Sequence, residues 1–258
     1  MAGRDASVGA STFAKGLRVL ECFAAGDRTL SMAAITRRTG LDRATVRRLC
    51  LTLVEAGYLS QNDRDLGLTP RILSLAGGYL AANEFGRAVQ PVLNIHASEL
   101  GGEIFMAMRD RGRAIYVAQS AMPGSRLSIG FVVGSSIPLL GTAVGRMILA
   151  AAPPEDLDQL LERGGGERHT EATDLDPASL RAKIARAAEQ GYALVRDEFE
   201  MGVTALAVPV AGVDPTPTAI GTTLPTETAA NEAECERVLN ILRQTARSLR
   251  GHRSVQDF

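Results

Sequence analysis

The stretch LDRATVRRLC, residues 41–50, carries three guanidinium groups, Arg43, Arg47 and Arg48, on a segment that otherwise reads as a half-buried helix. At about 100° per residue, Val46, Leu49, Cys50 and Leu53 share one face. Ala44, Arg48 and Leu51 lie opposite, flanked by Arg47 on one side and by Thr45 and Thr52 on the other, with Arg43 nearer the core edge. A guanidinium fork can bond guanine O6 and N7 bidentately, small side chains let a helix sit deep in a major groove, and a helix N-terminus favours phosphate. Three arginines can also merely solvate a surface helix. The neighbouring elements decide between the two readings.

Those elements have the right order. Ser31 is placed to cap a short helix carrying Ala33, Ala34 and Ile35, which Gly40 ends. Asp42 then caps the basic helix, which runs to Ala56 and stops at Gly57. The connection TGLD, Thr39 to Asp42, is the short glycine-containing turn of a helix-turn-helix. In YLSQNDRDLGLTP, Tyr58-Leu59 and Leu66–Thr69 can pair around Asn62–Asp65 as a wing. With turn and wing in place, double-stranded DNA is the expected partner. Arg43, Ala44, Thr45, Arg47 and Arg48 are expected to face it, and Arg37, Arg38 and Arg64 to contact phosphates. Leu51 would meet a thymine methyl or a neighbouring segment. Residues 1–81 hold 11 Lys and Arg against 7 Asp and Glu, while residues 82–258 hold 17 against 22, which agrees with a polyanion meeting the N-terminal part.

Upstream, residues 1–11 read as a disordered arm. A first helix follows, with Phe13, Leu17, Leu20 and Phe23 at helical spacing and Val19 beside them. The winged helix-turn-helix domain spans residues 12–70. RILSLAGGYLAAN, residues 71–83, reads as a linker helix whose paired glycines form a weak point or hinge. Residues 84–258 intersperse helices (87–100, TAVGRMILAA at 142–151, 154–163, 177–190, 227–250) with strands in IFMAMRDRGRAIYVAQS, LSIGFVVGSSIPL, YALVRDEFEMGVTALAVPV and TAIGTTLP. The expected class is therefore α+β with two domains, the second a mixed sensor-type domain.

Composition narrows the function. An apolar fraction of 45% and a charged fraction of 22% are ordinary for a globular protein. No run reaches the roughly 18 apolar residues that a bilayer span needs, and the N-terminus lacks a signal-peptide core, so a cytoplasmic protein without membrane contact is expected. Cys22, Cys50 and Cys235 suggest neither a disulfide framework nor zinc. A metabolic enzyme is the rival reading. However, GTAVGR at 141–146 lacks P-loop spacing and its Lys, no G-x-S-x-G occurs, and His96, His169 and His252 have no metal-ligand spacing. No catalytic residue, metal or cofactor is expected. A ligand-free architectural DNA-binding protein is the other rival; it would not need the residues beyond the wing.

LSMAAITRRTGLDRATVRRLCLTLVEAGYL, followed by LGLTPRILSLAGGYL, closely resembles the N-terminal half of IclR-type transcriptional regulators. RATVRR with LTPRIL is most like the subgroup controlling protocatechuate and 4-hydroxybenzoate catabolism. PLLGTAVGRMILA and GYALVRDEFEMGVTALAVPV are similar to the family's effector-binding segments, so the resemblance covers roughly residues 12–250. It implies a winged helix, a linker helix, a GAF-like effector domain, and a homodimer that often pairs into a dimer of dimers. It also implies regulation of an operon: a small-molecule effector, an organic acid, would shift the effector domain relative to the linker helix and change the population of DNA-competent dimers.

In members that bind small acids, helix-start amides hold the effector carboxylate; the resemblance puts them at Ala143 and Val144, before Gly145-Arg146. The four polar positions those members use align with Val195, Ala205, Gly221 and Thr223, of which only Thr223 keeps a hydroxyl. A pocket so altered suits a larger, flatter, aromatic acid. Phe105, Met106, Phe131 and Leu139 are then expected as walls or as plain core, with Ser128, Thr142 and Thr223 as polar contacts. Arg126 reads as a surface loop residue that could reach a carboxylate. Asp197, Glu198 and Glu200, like His169, read as solvated loop groups.

Overall fold

The structure, a computed structural model, describes residues 3–24, 26–121, 132–164, 166–210 and 216–250, with side chains from Ser11 onward. Two compact units divide between Tyr79 and Leu80.

The first unit contains α1 (Gly3–Glu21), β1 (Leu30–Ser31), α2 (Met32–Thr39), α3 (Arg43–Glu55), β2 (Leu59–Asn62) and β3 (Asp65–Leu68). Helix α1 begins at Gly3, inside the segment expected as an arm. No proline interrupts that segment, so the helix nucleated further along can propagate back through it. Both expected caps form. Ser31 Oγ accepts from the Ala34 amide at 3.2 Å, and an Asp42 carboxylate oxygen accepts from the Thr45 amide at 2.9 Å. Gly40 takes φ 66° as its amide donates to the Thr36 carbonyl, the left-handed ending that glycine adopts without steric cost. The wing pairs Leu59 with Leu68 and Asn62 with Asp65, and β1 adds an unforeseen third strand, Leu30 opposite Leu66. A two-residue strand leaves no periodic trace in sequence.

Val19, Phe23, Leu30, Ile35, Val46, Leu49, Cys50, Leu59 and Leu66 form this unit's core. The stripe expected on α1 is corrected. Phe13 is 69% and Leu17 45% exposed, whereas Val19 and Phe23 are buried and Gly16 comes within van der Waals reach of Leu49. The face of α1 that carries Gly16 and Val19 is the one turned to the core, and the glycine lets α1 approach α3 closely. After the wing, α4 (Arg71–Ala82) is helical through both glycines of the expected hinge.

The second unit continues with a π-helical turn (Phe85–Val89), α5 (Gln90–Leu100), β4 (Phe105–Asp110), β5 (Arg113–Gln119), β6 (Ser136–Pro138), α6 (Ala143–Ala150), α7 (Pro154–Glu162) and α8 (Pro177–Gln190). It ends with β7 (Ala193–Arg196), β8 (Val203–Pro209), β9 (Thr218–Pro225) and α9 (Glu232–Leu249). Its six strands form an antiparallel sheet in the order β6-β5-β4-β9-β8-β7. Strand alternation splits the side chains between two cores. Met106, Met108, Leu206, Val208 and Ile220 pack with α5 and α9, while Ala107, Ala207 and Ala219 pack with α6 and α8.

The α6 side is paved with small residues, and the helix sits correspondingly close. A Cβ on Gly145 would lie 2.3 Å from the Leu139 carbonyl oxygen, and one on Gly221 would lie 2.8 Å from the Leu206 carbonyl oxygen and 2.9 Å from Val144. Both contacts are below any real Cβ separation and mostly involve backbone, which cannot swing aside. Gly145→Ala is therefore expected to displace α6 and to lower the melting temperature of the second unit by several degrees; an unchanged melting curve would contradict this packing.

Candidate functional site

Two places in the fold carry chemistry, one in each unit. On α3, Val46, Leu49 and Cys50 are buried, while Arg43, Ala44, Arg47, Arg48, Leu51 and Thr52 are exposed and Thr45 is half-buried. No carboxylate pairs with Arg43, Arg47 or Arg48 among the described residues, so the three cations face outward uncompensated. Arg43, expected near the core edge, is exposed. Arg37 and Arg64 are exposed as well, the latter at the wing turn beside Asp63, which takes φ 52°. Arg38 is committed elsewhere: its guanidinium donates to the Asp27 carboxylate at 2.6 Å and to the Cys22 carbonyl at 2.7 Å. It ties α2 to the end of α1 instead of standing ready for a phosphate.

In the second unit a cleft opens between the N-terminus of α6, the α6 side of the sheet, and the loop between β7 and β8. It holds about 530 Å³ of empty space, counted with its open mouth. Strand register assembles its floor. Val195 lies opposite Ala205 and Ala205 opposite Thr223, so residues distant in sequence form one row across β7, β8 and β9. Phe105 and Tyr116 stand edge to face, with ring centroids 5.0 Å apart, and burial pushes the Tyr116 phenol above its usual range. Gly141, Thr142, Ala143 and Val144 line the end of the cleft formed by the start of α6. The Thr142 hydroxyl caps that helix, accepting from the Gly145 amide at 3.1 Å and donating to the Pro138 carbonyl at 2.7 Å. Ala143 and Val144 are the first residues of α6, whose amides have no acceptor within the helix. An anion at this end meets N–H groups and the positive end of a helix dipole.

Phe105, Thr142, Ala143, Val144, Val195, Ala205 and Thr223 thus lie together around the cleft. Two expected walls do not. Met106 packs on the α5–α9 side, because neighbours on a strand point to opposite faces and Phe105 takes the cleft side. Leu139 is buried in the α6 core, where its carbonyl meets Gly145. Gly221 lies beneath Val144 and contributes no wall. Ser128, Phe131 and Arg126 lie outside the described residues. Tyr116, Phe199, Glu200 and Val203 line the cleft without having been anticipated. Strand alternation could have suggested Tyr116, whereas the loop residues carry no local signal of where they fold.

That loop is the main correction. Glu198 is not solvated: its side chain is 8% exposed and that of Arg146 3%. The two form a bidentate pair, Nη1 to Oε1 at 3.0 Å and Nη2 to Oε2 at 2.6 Å, and Arg146 Nε donates to the Leu140 carbonyl at 2.7 Å. Lys183 adds contacts to Glu198 at 3.1 Å and to Asp174 at 2.7 Å, and the Asp174 amide donates to Glu198 at 3.1 Å. Burial works against the Glu198 carboxylate, but Arg146, the Asp174 amide and Lys183 outweigh it and hold the group below the usual range. Burial opposes Asp174 too, yet Lys183, Ser179 and the Asp176 amide bring it to about 2. His169, expected to be solvated, is exposed but stacks on Phe199 with ring centroids 4.6 Å apart.

Residues 12–63 match the IclR helix-turn-helix domain, and residues 78–250 match the bacterial transcriptional regulator IclR C-terminal domain. The chain is 34% identical over 200 residues to the Pca regulon regulatory protein of Pseudomonas putida, covering 78% of this chain and 69% of that one. It is 28% identical to the p-hydroxybenzoate hydroxylase transcriptional activator of Acinetobacter baylyi, covering 92% and 89% of the two chains. Among solved structures, an IclR transcriptional regulator from Silicibacter superposes with a TM-score of 0.83 at 26% identity over 95% of this chain and 96% of that one. An IclR homologue from Microbacterium hydrocarbonoxydans, complexed with 4-hydroxybenzoate, superposes with a TM-score of 0.77 at 23% identity over 96% and 100%.

The buried ion pair sets a test. Arg146→Met removes both bonds of the bidentate pair and leaves the buried Glu198 carboxylate with only Lys183 and the Asp174 amide, so it should cost up to about 3–5 kcal/mol of stability, the range for breaking a buried pair. Because the carboxylates of Glu198 and Asp174 are depressed on folding, their contribution is full above about pH 4, the unfolded range, and is lost as pH falls toward 2. Thermal melts across that window should show the loss in the parent protein and a smaller one in Glu198→Gln.

Proposed function

Because this chain belongs to the IclR family of bacterial transcriptional regulators, we propose that it controls an aromatic-catabolic operon in response to an aromatic acid bound in the second unit's cleft. One observation carries this reading: a helix start with free amides faces an apolar cleft walled by Phe105, Tyr116 and Phe199. An anionic group is taken by the amides of Ala143 and Val144, and a flat ring by the aromatic and aliphatic walls. Thr223 supplies a hydroxyl from the floor. The known regulators of the Pca regulon and of p-hydroxybenzoate hydroxylase support the substrate class, as does the fold shared with a 4-hydroxybenzoate complex.

The exposed face of α3 enters the major groove. Arg47, Arg48 and Ala44 meet bases, Arg43 and Thr45 lie at the groove edge, and Arg37 and Arg64 hold phosphates. Phe13 and Leu17 on α1, and Leu73, Leu75 and Tyr79 on α4, are large apolar side chains left exposed in the first unit. They suit a second copy of the chain, and a homodimer would read two half-sites of a pseudo-palindromic operator from the cytoplasm. A ligand that changes operator affinity must itself be bound more or less tightly when the operator is present, since the coupling is reciprocal.

Three measurements test this reading. Arg47→Ala with Arg48→Ala should abolish specific operator binding at physiological salt and flatten its salt dependence, while the fold is unchanged. A benzoate-type acid at 100 times its dissociation constant should stabilise the protein by about 2.7 kcal/mol in a thermal shift. Thr223→Val should weaken that ligand and leave ligand-free operator binding intact; survival of both activities would displace the ligand from this cleft.

A further inference from the structure

One polar group in the cleft is unexplained by the anion end. Glu200 lines the wall, half-buried, and no protein donor reaches its carboxylate among the described residues. It is also the one carboxylate among the cleft-lining residues, in a site that the start of α6 lines as well. A carboxylate set against apolar walls without a partner gains from a ligand donor and repels a second anion.

The loop carrying Glu200 is tied down by hydrogen bonds on both sides of that residue. The Asp197 amide donates to the Val203 carbonyl at 2.9 Å, and the Val203 amide to the Glu200 carbonyl at 3.3 Å. Asp197, at φ 59°, accepts on its carboxylate from the Gly202 amide at 2.8 Å and the Thr226 hydroxyl at 2.9 Å. Thr170 and Thr173 donate their hydroxyls to the Asp197 and Glu198 carbonyls at 2.6 and 2.7 Å. Glu198 is clamped to Arg146 on α6, the helix whose start forms the anion end. The start of α6 and the loop backbone that carries Glu200 are therefore held relative to each other through α6 and the ion pair. A cleft that presents both groups suits a ligand carrying a negative charge and, apart from it, a hydrogen-bond donor.

We infer that Glu200 is the specificity-determining residue of the cleft: it accepts a hydrogen bond from a phenolic hydroxyl of the ligand, selecting hydroxylated benzoates over benzoate. This rests on the aromatic-acid reading above and deepens it. A charge-assisted bond to this half-buried carboxylate discriminates by about 10- to 100-fold, because the analogue without the donor leaves Glu200 set against apolar walls with no partner. A methoxy group, which cannot donate, is rejected like benzoate itself.

The test measures dissociation constants of the full chain for benzoate, 3-hydroxybenzoate, 4-hydroxybenzoate, 3,4-dihydroxybenzoate and 4-methoxybenzoate by calorimetry. The parent protein should bind at least one hydroxylated acid about 10- to 100-fold more tightly than benzoate and 4-methoxybenzoate. Glu200→Ala should erase that preference and leave benzoate bound as tightly or more tightly. Glu200→Gln, which retains an acceptor but not the charge, should keep an intermediate preference. Since the Glu200 carboxylate touches no protein donor, both variants should melt with the parent when ligand-free. If the hydroxylated preference persists in Glu200→Ala, the role of Glu200 is overturned and the aromatic-acid reading stands. If the parent binds none of the five acids, that reading fails and this one with it.

Discussion

The second unit is organised by the depth at which α6 sits on its sheet. Backbone approaches backbone at Gly145 and Leu139, and Val144 rests over Gly221, so the helix lies closer than side chains ordinarily permit. That depth brings the unsatisfied amides of Ala143 and Val144 down to the level of the floor formed by Val195, Ala205 and Thr223. With a Cβ at either glycine, the helix start would ride above the cleft and its dipole would point over the ligand. The small residues of β8 and β9 thus shape the cleft without having any binding chemistry of their own.

A helix placed that deep must bury whatever follows its first turn, and here that includes Arg146. A guanidinium so enclosed is tolerable only if its charge and donors are met, and Glu198 meets them with two parallel bonds while the Leu140 carbonyl takes a third. The pair contributes little net free energy compared with an apolar core of the same volume. What it supplies is geometry. It fixes a loop between two strands to the helix whose start lines the cleft, so that one wall of the cleft cannot move independently of α6.

The first unit uses charge in the opposite way. Arg38 is neutralised by Asp27 and serves the packing of α2, while Arg43, Arg47 and Arg48 are left without acidic partners on a helix capped by Asp42 at its N-terminus. Exposed cations without counter-charges cost a small domain some repulsion, and a polyanion relieves it. The two units therefore differ in kind as well as in sign: one presents uncompensated charge outward, the other encloses compensated charge to shape a cavity.

Local signals in the sequence were enough to place the caps Ser31 and Asp42, the glycine stops at Gly40 and Gly57, the face of α3, and nearly every strand of the second unit. Each depends on neighbours within a few residues, through periodicity, a capping oxygen or a left-handed glycine. The α1 stripe was misread because Phe13 and Leu17 share a helical period with the true core, and period alone cannot say which of two apolar faces finds a partner. Met106 and Leu139 were misplaced for a related reason: hydrophobicity marks burial, but not which side of a sheet receives it. Glu198 could not be distinguished from its neighbours Asp197 and Glu200, since its partner is distant in sequence and burial of a charge is decided by that partner. Sequence by itself determined the elements, the family and the charge of each unit. Tertiary structure alone decided which strands line up to make a floor, how deep α6 sits, and which acid of one short loop is clamped and which lines the cleft, because these depend on contacts between residues that the chain brings together only when it folds.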